Sequence, residues 1–221
     1  PERLEEVGPL LASLPEKSVI LAGGTDLMIK LREERPKLEA WLSLCRLEEL
    51  KQVELENGWL KIGAMVTHTQ AAGQDVILRE CRALAMACST VGSQQIRNKG
   101  TVGGSIMNAS VASDMIPCVC LYKGELEFLT PEGKKRISIF QYLEEKSRWK
   151  TPHTLLTAIY LPLEENRESC FLKLGRREEV TIAQISMCAS WVRTQNGKAH
   201  MRLVVGGVNP IPLVYDGLSQ F

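Results

Sequence analysis

The chain has 221 residues, 44% hydrophobic and 24% charged, with a formal net charge of +1. That length allows one or two domains with a substantial core, and the near-neutral balance argues against a nucleic-acid or acidic-membrane partner. No apolar run reaches the roughly 18 residues of a spanning helix, and residues 1–13 lack the basic start and apolar stretch of a secretory signal, so a cytoplasmic location is expected. In chain order, residues 2–13 carry helical apolar spacing, with Leu4, Val7, Leu10 and Leu11 on one face. A short β run at 18–22 breaks at Gly23-Gly24, and a helical stretch at 26–32 cannot run far past Pro36. A strand is expected at 40–44 and a turn of helix within 47–53.

Beyond residue 53 the texture changes. Strand 60–64 is followed by a helix start capped by Thr67 or Thr69, then by a buried helix at 79–89. The stretch 97–114 reads as a loop and 115–122 as an apolar run. Strands follow at 125–129, 155–161, 169–174, 183–193 and 199–206, with turns at Lys123-Gly124 and Pro131-Glu132-Gly133. Asn196-Gly197 joins the last two strands as a hairpin. Strands in hairpins with a few helices between them predict an α+β fold. The expected division is 1–53, 54–167 and 168–221.

Seven cysteines, an odd number, lie mostly in apolar stretches and read as buried thiols of a reducing compartment. Cys118 and Cys120 stand two apart, which would place both on one face of a strand. No second pair has ligand spacing, so neither a zinc nor an iron–sulfur site is expected. His68, His153 and His200 are widely separated, and no residue is a convincing acid, base or nucleophile, so no catalytic and no metal-binding residue is assigned. An electron-handling role would need a redox group held without cysteines.

Two glycine-containing segments carry the functional signal. In the first, Ile20, Leu21, Ala22, Gly23, Gly24, Thr25, Asp26 and Leu27 take a strand into two glycines, a hydroxyl and a carboxylate. Glycines let backbone amides approach a ligand, and consecutive amides aimed into one concavity form an anion nest. A helix beginning at Asp26 would add its dipole. The same residues also read as a plain strand-to-helix turn with Thr25 or Asp26 as cap. In the second, 97–114, three glycines and a run of hydroxyl and amide side chains suit a loop lying against a polar ligand. Thr101, Ser105 and Asn108 are its candidate hydrogen-bond donors. Neither segment has the spacing of a P-loop or of a Rossmann fingerprint.

Together these segments resemble the FAD-binding subunits of molybdenum hydroxylases of the xanthine dehydrogenase and carbon monoxide dehydrogenase type. The family pattern is Ala-Gly-Gly-Thr-Asp-Leu, then about 75 residues on Arg-Asn-x-x-Thr-x-Gly-Gly-x-x-x-x-Ala-Ser-x-x-x-Asp. Here it is met by Ala22 to Leu27 and by Arg97, Asn98, Thr101, Gly103, Gly104, Ala109, Ser110 and Asp114. Ile62-Gly63-Ala64 with Thr67-His68, Phe171 and Lys173 with Arg176, and Gly206-Gly207-Val208 with Pro210 and Pro212 extend the likeness. The resemblance implies a two-subdomain FAD-binding fold of the vanillyl-alcohol-oxidase/PCMH type, followed by the start of a C-terminal α+β domain. The chain stops soon after Pro212, short of the family's usual C-terminal domain, so a truncated or short chain is expected.

The resemblance also implies roles. The 20–27 loop would cradle the pyrophosphate through its amides. Thr101, Gly104, Ser105 and Asn108 would hold the ribityl chain, a phosphate or the flavin edge, and Asp114 a ribose or ring group. Leu156 matches a position packing near the adenine, and Lys173 a lysine of the pattern. Three positions depart from it: Ser105 stands where Asn is usual, Val111 where Pro is common, and Val91 where some members stack an aromatic near the flavin. These changes bear on flavin affinity and potential. The implied cofactor is non-covalent FAD, with molybdopterin and 2Fe-2S clusters on partner subunits only. Electrons would come from the iron–sulfur partner and leave to NAD or another acceptor, the chemistry being the flavin's. The alternatives are a stand-alone flavin reductase of the same fold and a flavin-free scaffold subunit.

Overall fold

The computed structural model describes residues 1–175, 182–193 and 199–218. A 3-10 turn at Leu4–Glu6 leads into α1 (Val7–Ser13), which buries Val7 and Leu11. Leu10, expected on the same face, is 38% exposed. β1 (Ser18–Leu21) connects through α2 (Leu27–Glu34) to β2 (Ala40–Ser43), and the two strands pair in parallel with Ser18 opposite Ala40. A parallel pair requires a crossover, and α2 supplies it. The helix stops at Arg35, in the left-handed region one residue before Pro36. Val7, Leu11, Leu42, Leu47 and Leu50 form a small core, joined by Met65 and Leu155 from farther along the chain.

β3 (Val53–Glu56) and β4 (Trp59–Gly63) make a hairpin across Asn57-Gly58, both at positive φ. Six helices follow. The first, α3 (His68–Gly73), opens with a capping box: Thr67 accepts from the Gln70 amide and the Gln70 side chain returns to the Thr67 amide. The helix expected over 79–89 is two, α4 (Asp75–Glu80) and α5 (Arg82–Ser89), broken at Cys81. Next come α6 (Gln94–Arg97), α7 (Val102–Asn108) and α8 (Met115–Leu121). β5 (Glu125–Thr130) and β6 (Gly133–Ser138) form a second hairpin, α9 (Ile139–Glu144) and α10 (Lys146–Trp149) follow, and β7 (Leu155–Pro162) returns to the middle of the sheet. The sheet is antiparallel, in the order β3-β4-β7-β5-β6.

The last strands, β8 (Arg167–Gly175), β9 (Ala183–Arg193), β10 (Ala199–Gly206) and β11 (Leu213–Leu218), form a separate antiparallel sheet in the order β11-β10-β9-β8. β9 and β10 pair as a hairpin with Arg193 opposite Ala199. Its expected turn, Asn196-Gly197, lies outside the described residues, as does Arg176. The main core fills the space between the five-stranded sheet and α3, α5, α8 and α9, and Phe171, Cys188 and Val204 reach into it from the four-stranded sheet.

Two expectations are corrected. Residues 97–114 are not one loop, because α7 lies within them. Gly and Ser are poor helix formers, but Thr101 caps the helix by accepting from the Gly104 amide at 3.0 Å, and Val102 and Ile106 are fully buried. Cys118 and Cys120 are not on a strand. They lie in α8, whose residues Met115 to Leu121 are all buried. Pro117 is tolerated there because it falls in the first turn, where amides have no helical acceptor. No helix among the described residues is long and apolar enough to cross a membrane.

Candidate functional site: a cleft between two glycine segments

An open cleft of about 350 Å³ lies where the β1–α2 loop faces α7, with the start of β7 as its floor. Ile20, Ala22, Gly23, Gly24, Thr25, Asp26 and Leu27 line one side, Thr101, Gly104, Ser105 and Asn108 the other, and Leu156 the floor. Leu21 is not among the lining residues. The two segments are in backbone contact: a Cβ on Gly23 would fall 1.8 Å from the Lys99 carbonyl oxygen. Only glycine fits there. Gly24 holds a left-handed φ of +74°, which turns the chain into α2. The amides of Gly23, Gly24, Thr25 and Asp26 donate to no protein group among the described residues. Helix starts leave amides without helical acceptors, so these four adjacent donors are available to an anion or to water.

The opposite wall is rigid. Gly103 packs so closely on Ala64 that a Cβ would fall 2.6 Å from both the Ala64 Cβ and its carbonyl oxygen. Thr101, expected as a ligand donor, is 3% exposed and its oxygen accepts the capping bond. Asn108 is held from three directions: its Nδ2 donates to Asp26 Oδ1 at 3.1 Å, its Oδ1 accepts from Lys30 Nζ at 2.9 Å, and its carbonyl accepts from Lys150 Nζ at 3.1 Å. Both lysines line the cleft, and neither was foreseen. Burial first, then the charges of Lys30 and Lys146, pull the Lys150 ammonium below its usual range. Ser105 Oγ lies 3.0 Å from His68 Nε2, and burial together with the Arg97 charge lowers the His68 imidazole to about 4, so the ring is neutral at pH 7.

Three expected residues stand apart from this cleft. Lys173 Nζ pairs with Asp114 Oδ2 at 2.6 Å and donates to the Thr90 carbonyl at 3.2 Å, next to Val91. The pair is buried, with side-chain exposures of 9% and 5%. Burial raises the Asp114 carboxyl while Lys173 opposes the rise. Asp114 Oδ1 has no hydrogen-bond partner among the described residues.

Residues 1–164 match the family model described as the FAD binding domain in molybdopterin dehydrogenase. The chain belongs to this family. It is 31% identical over 209 residues to the xanthine dehydrogenase FAD-binding subunit of Escherichia coli O157:H7, covering 92% of this chain and 71% of that one. The nicotinate dehydrogenase FAD-subunit of Eubacterium barkeri is 29% identical over 191 residues, covering 84% and 64%. Among solved structures, the reconstituted CO dehydrogenase from Oligotropha carboxidovorans superposes with a TM-score of 0.86 at 23% identity, over 97% of this chain and 75% of that chain. The fold is therefore the α+β FAD-binding PCMH type, and the chain is the FAD-binding subunit of an oxidoreductase of the molybdopterin dehydrogenase family.

The residues present suit FAD. A diphosphate needs convergent donors and positive charge, and the cleft offers four unpaired amides with Lys30 and Lys150 beside them. Flat rings need apolar walls, and Ile20, Leu155 and Leu156 provide them.

Proposed function

We propose that FAD lies non-covalently in this cleft, with its pyrophosphate on the amides of the 20–27 loop. Thr101, Gly104, Ser105 and Asn108 form the second wall, Leu156 packs against the adenine, and Val91, Asp114 and Lys173 border the cofactor farther along. The observation that carries this reading is the run of amides from Gly23 to Asp26, unpaired among the described residues, in a loop that lines the cleft opposite α7. The lining supports non-covalent binding: no His, Cys or Tyr is among the described residues that form it. We divide the chain accordingly into FAD-binding subdomains 1–53 and 54–167 and a C-terminal unit from 168.

The chain acts in this reading as the electron port of a cytoplasmic, multi-subunit molybdenum hydroxylase, xanthine dehydrogenase-like. When bound, FAD supplies the redox chemistry that links iron–sulfur clusters of one partner to NAD or another acceptor, while a molybdenum partner oxidises the substrate. The chain's own residues bind, orient and charge-balance the cofactor. The test is rapid mixing of the FAD-loaded subunit with NADH and, separately, with xanthine. Bleaching by NADH and none by xanthine is expected, and adding the iron–sulfur and molybdenum partners should restore the second reaction. Bleaching by xanthine alone would overturn the reading, and none by NADH would exclude NAD as acceptor.

A further inference from the structure

His68 and Ser105 are 37 positions apart, yet His68 Nε2 lies 3.0 Å from Ser105 Oγ. The histidine is 2% exposed and does not itself line the cleft, whereas Ser105 does. Its placement is fixed from several sides. The His68 amide donates to the Gly100 carbonyl at 3.0 Å. A Cβ on Gly100 would stand 3.2 Å from the His68 ring and 3.4 Å from the Thr25 hydroxyl, so the ring sits directly behind the seam of the two glycine segments.

The second ring nitrogen favours one direction for the bond. Nδ1 is buried with no partner among the described residues. A neutral imidazole carries one N–H. Either tautomer bonds Ser105 through Nε2 and leaves Nδ1 unpaired: a proton there would be an orphaned buried N–H, its absence an orphaned lone pair, and orphaned N–H groups are the rarer of the two in folded proteins. A proton on Nε2 is satisfied by Ser105 Oγ. The hydroxyl then accepts from behind, and its own proton is free to point forward into the cleft. Were the tautomer reversed, the hydroxyl would donate backward to the ring and offer a ligand only lone pairs.

We infer that His68 is a positioning residue for the cofactor: its Nε2–H donates to Ser105 Oγ and so presents the Ser105 hydroxyl as a donor to an acceptor atom of FAD. Serine at this position has a freely rotating proton, and the histidine behind it removes that freedom. The inference rests on FAD occupying the cleft proposed above.

Two measurements test it. The chain has only three histidines, so nitrogen-15 labelling of histidine resolves each ring. His68 should show the Nε2–H tautomer, and its Nε2 signal should move in Ser105→Ala. An Nδ1–H tautomer overturns the inference. The second is FAD affinity, read by flavin fluorescence, in Ser105→Ala, His68→Leu, the double variant and His68→Gln. Each single loss should be on the order of tenfold. The double variant should bind no more weakly than Ser105→Ala, and Gln, which keeps an N–H donor, should recover most of the loss. Additive losses, or full affinity in a folded His68→Leu protein, overturn it. Should His68→Leu not fold, the tautomer and the Gln variant decide. Gly104→Val separates this from failure of the cleft reading. If that blocking variant abolishes FAD binding while Ser105→Ala is silent, the cleft stands and the relay falls. If both are silent, the cleft itself is wrong.

Discussion

Adjacent glycines in α7 should give opposite phenotypes. At Gly104, beyond its own helix backbone and chain neighbours, the Thr101 hydroxyl oxygen, at 2.9 Å, is the one heavy atom of the described residues within 4 Å of an added Cβ, and Gly104 lines the open cleft. A Gly104→Val side chain therefore stands where the cofactor must approach. It also presses on the cap, where losing the Thr101–Gly104 bond costs about 1 kcal/mol of stability. The loss in FAD affinity should reach about 3 kcal/mol, roughly 150-fold, from clash and forfeited hydrogen bonds. At Gly103, the obstruction is the Ala64 Cβ and backbone at 2.6 Å, which cannot swing away. Gly103→Ala should cost about 1–3 kcal/mol of folding stability by overpacking. Urea unfolding and FAD titration of both apo-proteins separate the two effects. A folded Gly104→Val protein that still holds stoichiometric FAD, or a Gly103→Ala protein as stable as the parent, would refute the reasoning.

Three further outcomes are expected. Lys173→Met should destabilise by about 3 kcal/mol near pH 8, because it strands the Asp114 carboxylate. Burial already raises the Asp114 carboxyl, so protonation favours the folded state and the penalty should shrink as pH falls toward the carboxylate range; an equal penalty at pH 5 and pH 8 in denaturant titrations argues against it. His68 titrates near 4 when folded, below its unfolded value, so it contributes stability above pH 6.5 that is lost as pH falls toward 4, up to about 3 kcal/mol. His68→Gln should flatten that part of the stability profile, and an unchanged slope would mean the ring titrates elsewhere. Acid precipitation of the yellow protein should leave the colour in the supernatant, and colour in the pellet would show a covalent link.

Much of this site was legible because its chemistry is local. Gly23-Gly24 after a β run, followed by Thr25 and Asp26, announces a turn with free amides, and the structure has that turn. What was illegible depends on long-range packing. Helix α7 was read as loop because glycine, serine and asparagine dominate it, and intrinsic propensity is against it. The close approach to Ala64, which only Gly103 permits, outweighs that propensity. Helix α8 is a short apolar run, which periodicity alone cannot tell from a strand. Lys30 and Lys150 meet at Asn108 although 120 positions separate them, and neither has a motif around it. His68 carried no signal of its own in the sequence; it is the first residue of α3, and its ring gains a second role only because Ser105 folds against it.

The contact between Gly23 and the Lys99 carbonyl makes the two glycine segments one structural device. The cleft's width at that point is set by backbone against backbone, with no side chain to adjust. Asn108 extends the same seam, tying Asp26 of the first segment and Lys30 of α2 to the end of α7, while Lys150 holds the Asn108 carbonyl. Ligand affinity and docking of the β1–α2 unit onto the larger sheet unit therefore share residues. A substitution such as Gly23→Ala should not lower cofactor binding alone: it should also open the seam, since the three atoms nearest its Cβ are all backbone. Conversely, an anion bound by the loop amides and flanked by Lys30 and Lys150 bridges both sides and should tighten the seam, raising the stability of the whole chain by mass action.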